Sequence, residues 1–174
     1  MTRADVRSVT LSWQPAGPSH LVQPDISGLD QLRGWRDGSI LMPPIGQALG
    51  VRLGEIEPGR AQFEMPLQEY MTNHWGVVLG GMLAAALDTA LGCAVMAAIP
   101  ADRDMATLDL NVEFLRTVRC RDRSVLLEAE CTHIGHSRVV ATARLTTPGG
   151  RLCALATANS LIRPKQTPGR ASSE

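Results

Sequence analysis

Gly80-Gly81-Met82-Leu83-Ala84-Ala85-Ala86-Leu87-Asp88-Thr89-Ala90-Leu91-Gly92-Cys93-Ala94-Val95-Met96-Ala97-Ala98-Ile99 is the longest apolar run in the chain, and Pro100 ends it. Its alanine, leucine and methionine content favours a helix. A helix apolar on every side either spans a membrane or is wrapped by protein. Length alone permits a span, which takes about 20 apolar residues. Much of the run is weakly apolar alanine, however, and Asp88 sits in its middle at a cost of roughly 3 kcal/mol on insertion scales. The expectation is therefore a helix wrapped by protein.

What wraps it lies on either side in sequence. Upstream, Val51–Ile56 and Arg60–Met65 alternate like strands around a Glu57-Pro58-Gly59 turn. Downstream come four more alternating segments, Ala106–Leu115, Ser124–His133, Arg138–Thr146 and Leu152–Leu161. Arg121-Asp122-Arg123, Ile134-Gly135-His136 and Pro148-Gly149-Gly150 are turns short enough to make neighbours antiparallel. A short helix is expected from Ser27, capped by Ser27 or Asp25 and carrying Leu29, Leu32 and Trp35; Pro43-Pro44 stops that segment, and a turn runs through Ile45–Leu49. The order strand, strand, long helix, four strands predicts an α+β fold in which one antiparallel sheet curls around the helix.

Composition bounds the rest. The chain has 174 residues, 44% hydrophobic and 20% charged, enough for one core and one domain. That domain is expected at 27–162, between flexible extensions at 1–26 and 163–174. Lys plus Arg and Asp plus Glu balance at 17 each, so no global field draws the protein to nucleic acid or anionic lipid, and neither is expected as a partner. Cys93, Cys120, Cys131 and Cys153 fall at wide, unrelated spacings and read as reduced core thiols. The first residues lack the layout of a secretory signal, so a cytoplasmic location is expected.

Asp88 is the chemical anomaly. A carboxylate inside an apolar helix must find partners or shift its pKa. One reading pairs it with an arginine across a subunit contact. The other makes it reactive, because Gly80 and Gly81 put unobstructed N–H groups at the positive end of the same helix, where developing negative charge is stabilised. Gly80 and Asp88 are about 12 Å apart along the axis. His133 and His136 flank a glycine turn rather than a helix face, and no metal site is expected there.

The run Asn73-His74-Trp75-Gly76-Val77-Val78-Leu79-Gly80-Gly81, followed by Asp88 and Gly92, resembles the Asn-x-x-Gly-x-x-His-Gly-Gly…Asp pattern of hotdog-fold thioesterases related to 4-hydroxybenzoyl-CoA and phenylacetic-acid-pathway thioesterases. Pro-Pro-Ile-Gly-Gln-Ala-Leu-Gly, Thr-Leu-Asp-Leu-Asn-Val-Glu-Phe-Leu-Arg and Gly-Gly-Arg-Leu-Cys-Ala-Leu-Ala-Thr extend the likeness over about residues 27–162. The resemblance implies a hotdog fold and hydrolysis of an aryl- or medium-chain acyl-CoA without metal or bound cofactor. It gives Asp88 the role of nucleophile or general base and the Gly80 N–H that of carbonyl polariser. Asn73 would position substrate or water, and Thr107 would come from the neighbouring subunit. Gly81, Leu79, His74 and Arg138 would line the substrate site, and some of the arginines 116, 119, 121, 123, 138, 144 and 151 would grip coenzyme A phosphates. Homodimers, pairing into a homotetramer, are the implied assembly.

Two departures qualify the pattern: Leu79 stands where the family usually has histidine, and Thr117 where it tends to have proline. Leu79 leaves two functions open, an acyl-CoA thioesterase or an acyl-CoA-binding hotdog protein without efficient turnover. A dehydratase of the same fold ranks behind both, because no histidine stands at a matching position.

Overall fold

The structure, a computed structural model, describes residues 6–15 and 26–165. Ser27 opens helix α1 (Gly28–Asp37): its Oγ accepts the Asp30 N–H at 3.1 Å, and Gly38 closes the helix at a φ of 77°. The turn expected through Ile45–Leu49 is instead a second helix, α2 (Pro44–Leu49). Pro44 stands in its first turn, where a fixed φ suits the helix and a missing N–H costs nothing. Gly50, at a φ of 64°, donates its N–H to the Gln47 carbonyl at 3.1 Å.

The rest of the chain forms β1 (Arg52–Glu57), β2 (Arg60–Pro66), helix α3 (Gly80–Ala98), β3 (Arg103–Phe114), β4 (Ser124–Ile134), β5 (Arg138–Thr146) and β6 (Leu152–Pro164). All neighbours pair antiparallel in one six-stranded sheet of order β1-β2-β4-β5-β6-β3. This is the α+β hotdog arrangement. β3 and β6 are longer than their apolar alternation suggested: Arg103 pairs with Pro164 and Asp104 with Arg163, so backbone pairing carries the ladder past the last core side chains. Of the extensions expected to be flexible, residues 1–5, 16–25 and 166–174 lie outside the described residues. Residues 6–15 lie exposed over the body, with Arg7 paired to Glu69 and the Gln14 N–H on Gln47 Oε1.

Sheet and helix meet through small side chains. Ala61, Ala129, Ala143 and Ala156 are in register across four strands, and Phe63, Leu127, Leu145 and Ala154 form the next row. Leu83, Ala86, Leu87, Ala90, Leu91, Ala94 and Val95 of α3 bury against that face. The trough of alanines lets an alanine-rich helix seat closely, which is how an apolar segment long enough for a bilayer is packed in protein instead. The covering is one-sided. Gly81, Ala85, Asp88, Gly92 and Met96, spaced three and four residues apart, form a stripe of α3 that stays partly or fully exposed. At the far end of α3, α1 comes so close that a Cβ on Gly28 would overlap the Met96 carbonyl oxygen.

Two consequences can be measured. Gly28→Ala forces backbone apart where α1 meets α3 and is expected to destabilise by about 1–3 kcal/mol, seen as a lower urea midpoint at unchanged slope. Burial pushes the Cys93 thiol from 9.0 up to about 12, and the nearby Asp88 carboxylate adds to the rise. The unfolded thiol therefore ionises first. Its contribution to stability is full below pH 9.0 and is lost as pH climbs toward about 12. Urea melts across that range should show a steeper alkaline loss in the parent than in Cys93→Ala.

Candidate active site

The site begins with the loop that delivers α3. Asn73 Oδ1 accepts the N–H groups of Trp75 at 3.0 Å and Val77 at 3.2 Å, while the Asn73 N–H reaches the Val77 carbonyl at 2.8 Å. Gly76 adopts a φ of 66° and donates back to the Asn73 carbonyl at 2.9 Å. The loop is tied to the body by Val78 N–H on the Val118 carbonyl, Leu79 N–H on the Met71 carbonyl and Arg119 Nη1 on the Trp75 carbonyl at 3.0 Å. The amide oxygen of Asn73 is committed to the loop, and through it the residue holds the start of α3 in place.

That start is open. Leu79 is the N-cap residue, 53% exposed, and offers no side-chain cap; only its carbonyl is used, by Met82 and Leu83. The N–H groups of Gly80 and Gly81 have no hydrogen-bond partner among the described residues. A Cβ at Gly81 would meet nothing within 4 Å, whereas one at Gly80 would stand 3.2 Å from the Phe114 ring. The helix tip is therefore roofed on one side by Phe114 and free on the other.

Two turns on, Thr107 Oγ1 donates to Asp88 Oδ1 at 3.2 Å. Thr107 stands beside the Asp88 of its own chain because β3 runs back along α3. The contacts follow in strict order: Phe114 beside Gly80, Thr107 beside Asp88, and the Met105 methyl 3.8 Å from a Cβ on Gly92. Helix and strand thus run side by side, with Asp88 midway along their seam. Asp88 Oδ2 has no hydrogen bond and the carboxylate no ion pair among the described residues, so an accessible oxygen is left for chemistry.

Other expected residues fall elsewhere. His74 is exposed and tilts against Trp75, ring centroids 3.6 Å apart, on the loop rather than over Asp88. Arg138 is set apart from the carboxylate: its neighbour Val139 is fully buried under the sheet, so by strand alternation Arg138 stands on the outer face. Among the arginines, Arg151 is held in a two-pronged pair with Asp122 at 3.0 Å and Arg116 donates to the Leu152 carbonyl. His133 and His136 flank the β4–β5 turn, exposed. Sequence reasoning missed Met105 and Met96 as groove walls. Their signal was spacing: Met105 two residues from Thr107 on one strand face, Met96 eight from Asp88 on one helix face.

The comparisons concern the family and the fold. A model of the thioesterase superfamily matches residues 76–154, which hold the end of the loop from Gly76, the helix α3 and the strands β3 to β5. An inferred esterase of Halobacterium salinarum is 35% identical over 105 residues, 58% of this chain and 68% of that protein. Two solved structures superpose at a TM-score of 0.69 with 25% identity. One is a thioesterase family protein of Silicibacter pomeroyi, covering 76% of this chain and 98% of its own. The other is a protein of Ralstonia eutropha assigned as a phenylacetic acid degradation-related thioesterase, covering 74% and 97%. With an unpaired carboxylate oxygen and two free N–H groups along one groove, and with these relatives, the chain belongs to the thioesterase superfamily and is a thioester hydrolase.

Proposed function

We propose that the chain hydrolyses aryl- or medium-chain acyl-CoA to free acid and coenzyme A, with Asp88 as nucleophile or general base and the Gly80 N–H polarising the thioester carbonyl. The observation that carries this reading is the open Asp88 Oδ2 in a groove whose tip offers unpaired N–H groups. Thiolate is a good leaving group, so a carboxylate and an oriented dipole suffice, without metal or bound cofactor. Thr107 holds the carboxylate in register, and Gly81 and Leu79 shape the entrance.

One helix cannot apply both groups to one carbonyl, since Gly80 and Asp88 are about 12 Å apart along it. Two copies solve this. If two α3 helices cross antiparallel about a twofold axis at Ala84, midway between positions 80 and 88, each Gly80 meets the Asp88 of the other copy. Two features support such a homodimer: Ala84 and Ala85 are small and at least partly uncovered, and β3 is a 12-residue edge strand with Leu108 and Phe114 exposed. Leu126 and Leu155, exposed on the outer face of the sheet, are the surface on which dimers would pair into the homotetramer.

Leu79 favours the second reading, an acyl-CoA binder with slow or no turnover, because its side chain supplies no hydrogen bond at the helix tip. One experiment separates the two. Across an acyl-CoA panel with free-thiol detection, the parent should release thiol, Asp88→Asn should lower kcat by about 10²–10⁴-fold, and Thr107→Val by about tenfold, all with unchanged melting. Tight binding with no thiol released would replace hydrolysis by the binding reading. For the assembly, Ala85→Glu sets carboxylates face to face and should give monomers of reduced activity in sedimentation and turnover assays; a fully active dimer would remove the twofold arrangement.

A further inference from the structure

We propose that Arg119 is a positioning residue of the hydrolytic site: its guanidinium fixes the crown of the loop before α3 and thereby the direction in which the Gly80 and Gly81 N–H groups point. The proposal rests on the reading of the Gly80 N–H as polariser of the thioester carbonyl and adds what holds it in place. The base of the loop is tied by backbone alone, Val78 N–H on the Val118 carbonyl and Leu79 N–H on the Met71 carbonyl, both at 2.9 Å. Its crown, His74-Trp75-Gly76, is exposed. There the one hydrogen bond to the rest of the protein among the described residues runs from Arg119 Nη1 to the Trp75 carbonyl at 3.0 Å. That carbonyl and the Gly76 N–H belong to one planar peptide, so holding the first orients the second onto the Asn73 carbonyl. A charged donor makes the hold a strong one. Asn73 Oδ1 in turn links Trp75 to Val77, two residues before the N-cap, so a crown that swings carries the helix tip with it.

Arg119 is itself held. Its backbone N–H donates to Asp122 Oδ2 at 2.9 Å, and the mostly buried Asp122 carboxylate accepts Arg151 Nη2 on both oxygens at 3.0 Å. The Asp122 N–H returns to the Arg119 carbonyl and the Arg123 N–H to the Cys120 carbonyl, both at 2.9 Å. Closing this turn puts Arg123 at a φ of 67°, and no other non-glycine residue among the described ones has a positive φ. Such a conformation persists only where the surroundings over-determine it, and it gathers at sites whose geometry matters. A line of bonded groups thus runs from Arg151 in the β5–β6 turn through Asp122 and Arg119 to the loop crown. An arginine placed only for solubility needs no such support. Misplacing a catalytic group by about 1 Å costs on the order of 10²-fold in rate, so the tip repays being held from both sides, by Asn73 within the loop and Arg119 outside it.

The test follows thiol release from the most rapidly hydrolysed acyl-CoA of the panel, with kcat and KM read separately and rates taken well below the melting temperature of every variant. Arg119→Met keeps the apolar stem and removes the donors; it should lower kcat by about ten- to a hundredfold and leave KM within about twofold. Arg119→Lys restores a charged donor and should recover most of that loss. Asp122→Ala should act in the same direction, and adding it to Arg119→Met should slow the enzyme little further, as expected of groups that act in series. A raised KM at parental kcat in Arg119→Met overturns the inference and makes the guanidinium a substrate contact, with thioester hydrolysis left standing. Parental kcat and KM overturn it as well. Should Arg119→Met not fold, Arg151→Ala at the exposed far end of the line carries the test: a loss of about threefold in kcat alone supports the inference, and parental kcat sinks it. If the parent hydrolyses no ester, the hydrolysis reading fails and amide exchange of Trp75, Gly76 and Val77 decides, since all three N–H groups are bonded within the loop. Faster exchange there in Arg119→Met upholds the positioning role, and parental exchange removes it.

Discussion

The structure depends on seating an alanine-rich helix in an alanine-lined trough. Ala86, Ala90 and Ala94 of α3 approach a sheet whose facing row is Ala61, Ala129, Ala143 and Ala156. Small residues on both sides bring the two backbones close, and the larger Leu87, Leu91, Leu127 and Leu145, all fully buried, fill the flanks. A single sheet covers one side of a helix. The other side of α3 is left over, and the residues at its three- and four-residue spacing are Gly81, Ala85, Asp88, Gly92 and Met96. The packing that stabilises the fold is also what exposes the reactive carboxylate along a defined line.

β3 converts that line into a site. The chain leaves α3, turns at Pro100 and comes back antiparallel beside it, so strand positions map onto helix positions in reverse order: Met105 with Gly92, Thr107 with Asp88, Phe114 with Gly80. A carboxylate on an apolar helix thereby acquires one hydroxyl donor and keeps one oxygen free. The same strand is the edge of the sheet. Groove and dimer surface are in this way neighbours on one element, which ties the proposed assembly to the proposed chemistry.

Polar groups are distributed along the groove with a direction. At one end the N–H groups of Gly80 and Gly81 are held out by a loop whose geometry Asn73 enforces with four hydrogen bonds, two of them to its side-chain oxygen. In the middle stands Asp88. At the other end α1 closes on α3, with Gly28 against Met96. Leu79 breaks the pattern at the tip, where an exposed apolar side chain occupies the capping position and the helix dipole acts without side-chain help.

By itself the sequence determined the elements and the anomaly. Period-two alternation located β2, β4 and β5 to within a residue, the alanine and leucine run located α3, and a lone carboxylate in that run marked position 88. Local rules suffice for such features, because each follows from neighbours a few residues away. Pro44 shows the limit even there: read as a stop, it stands in the first turn of α2, while α1 has already closed at Gly38. Tertiary structure alone decided that Thr107 reaches Asp88, that Asn73 spends its oxygen on its own loop, that Arg138 faces outward, and that Gly28 of α1 abuts Met96 of α3. Each of these depends on which strand lies along which helix, a relation set by close packing between segments distant in sequence, for which spacing along the chain carries no signal.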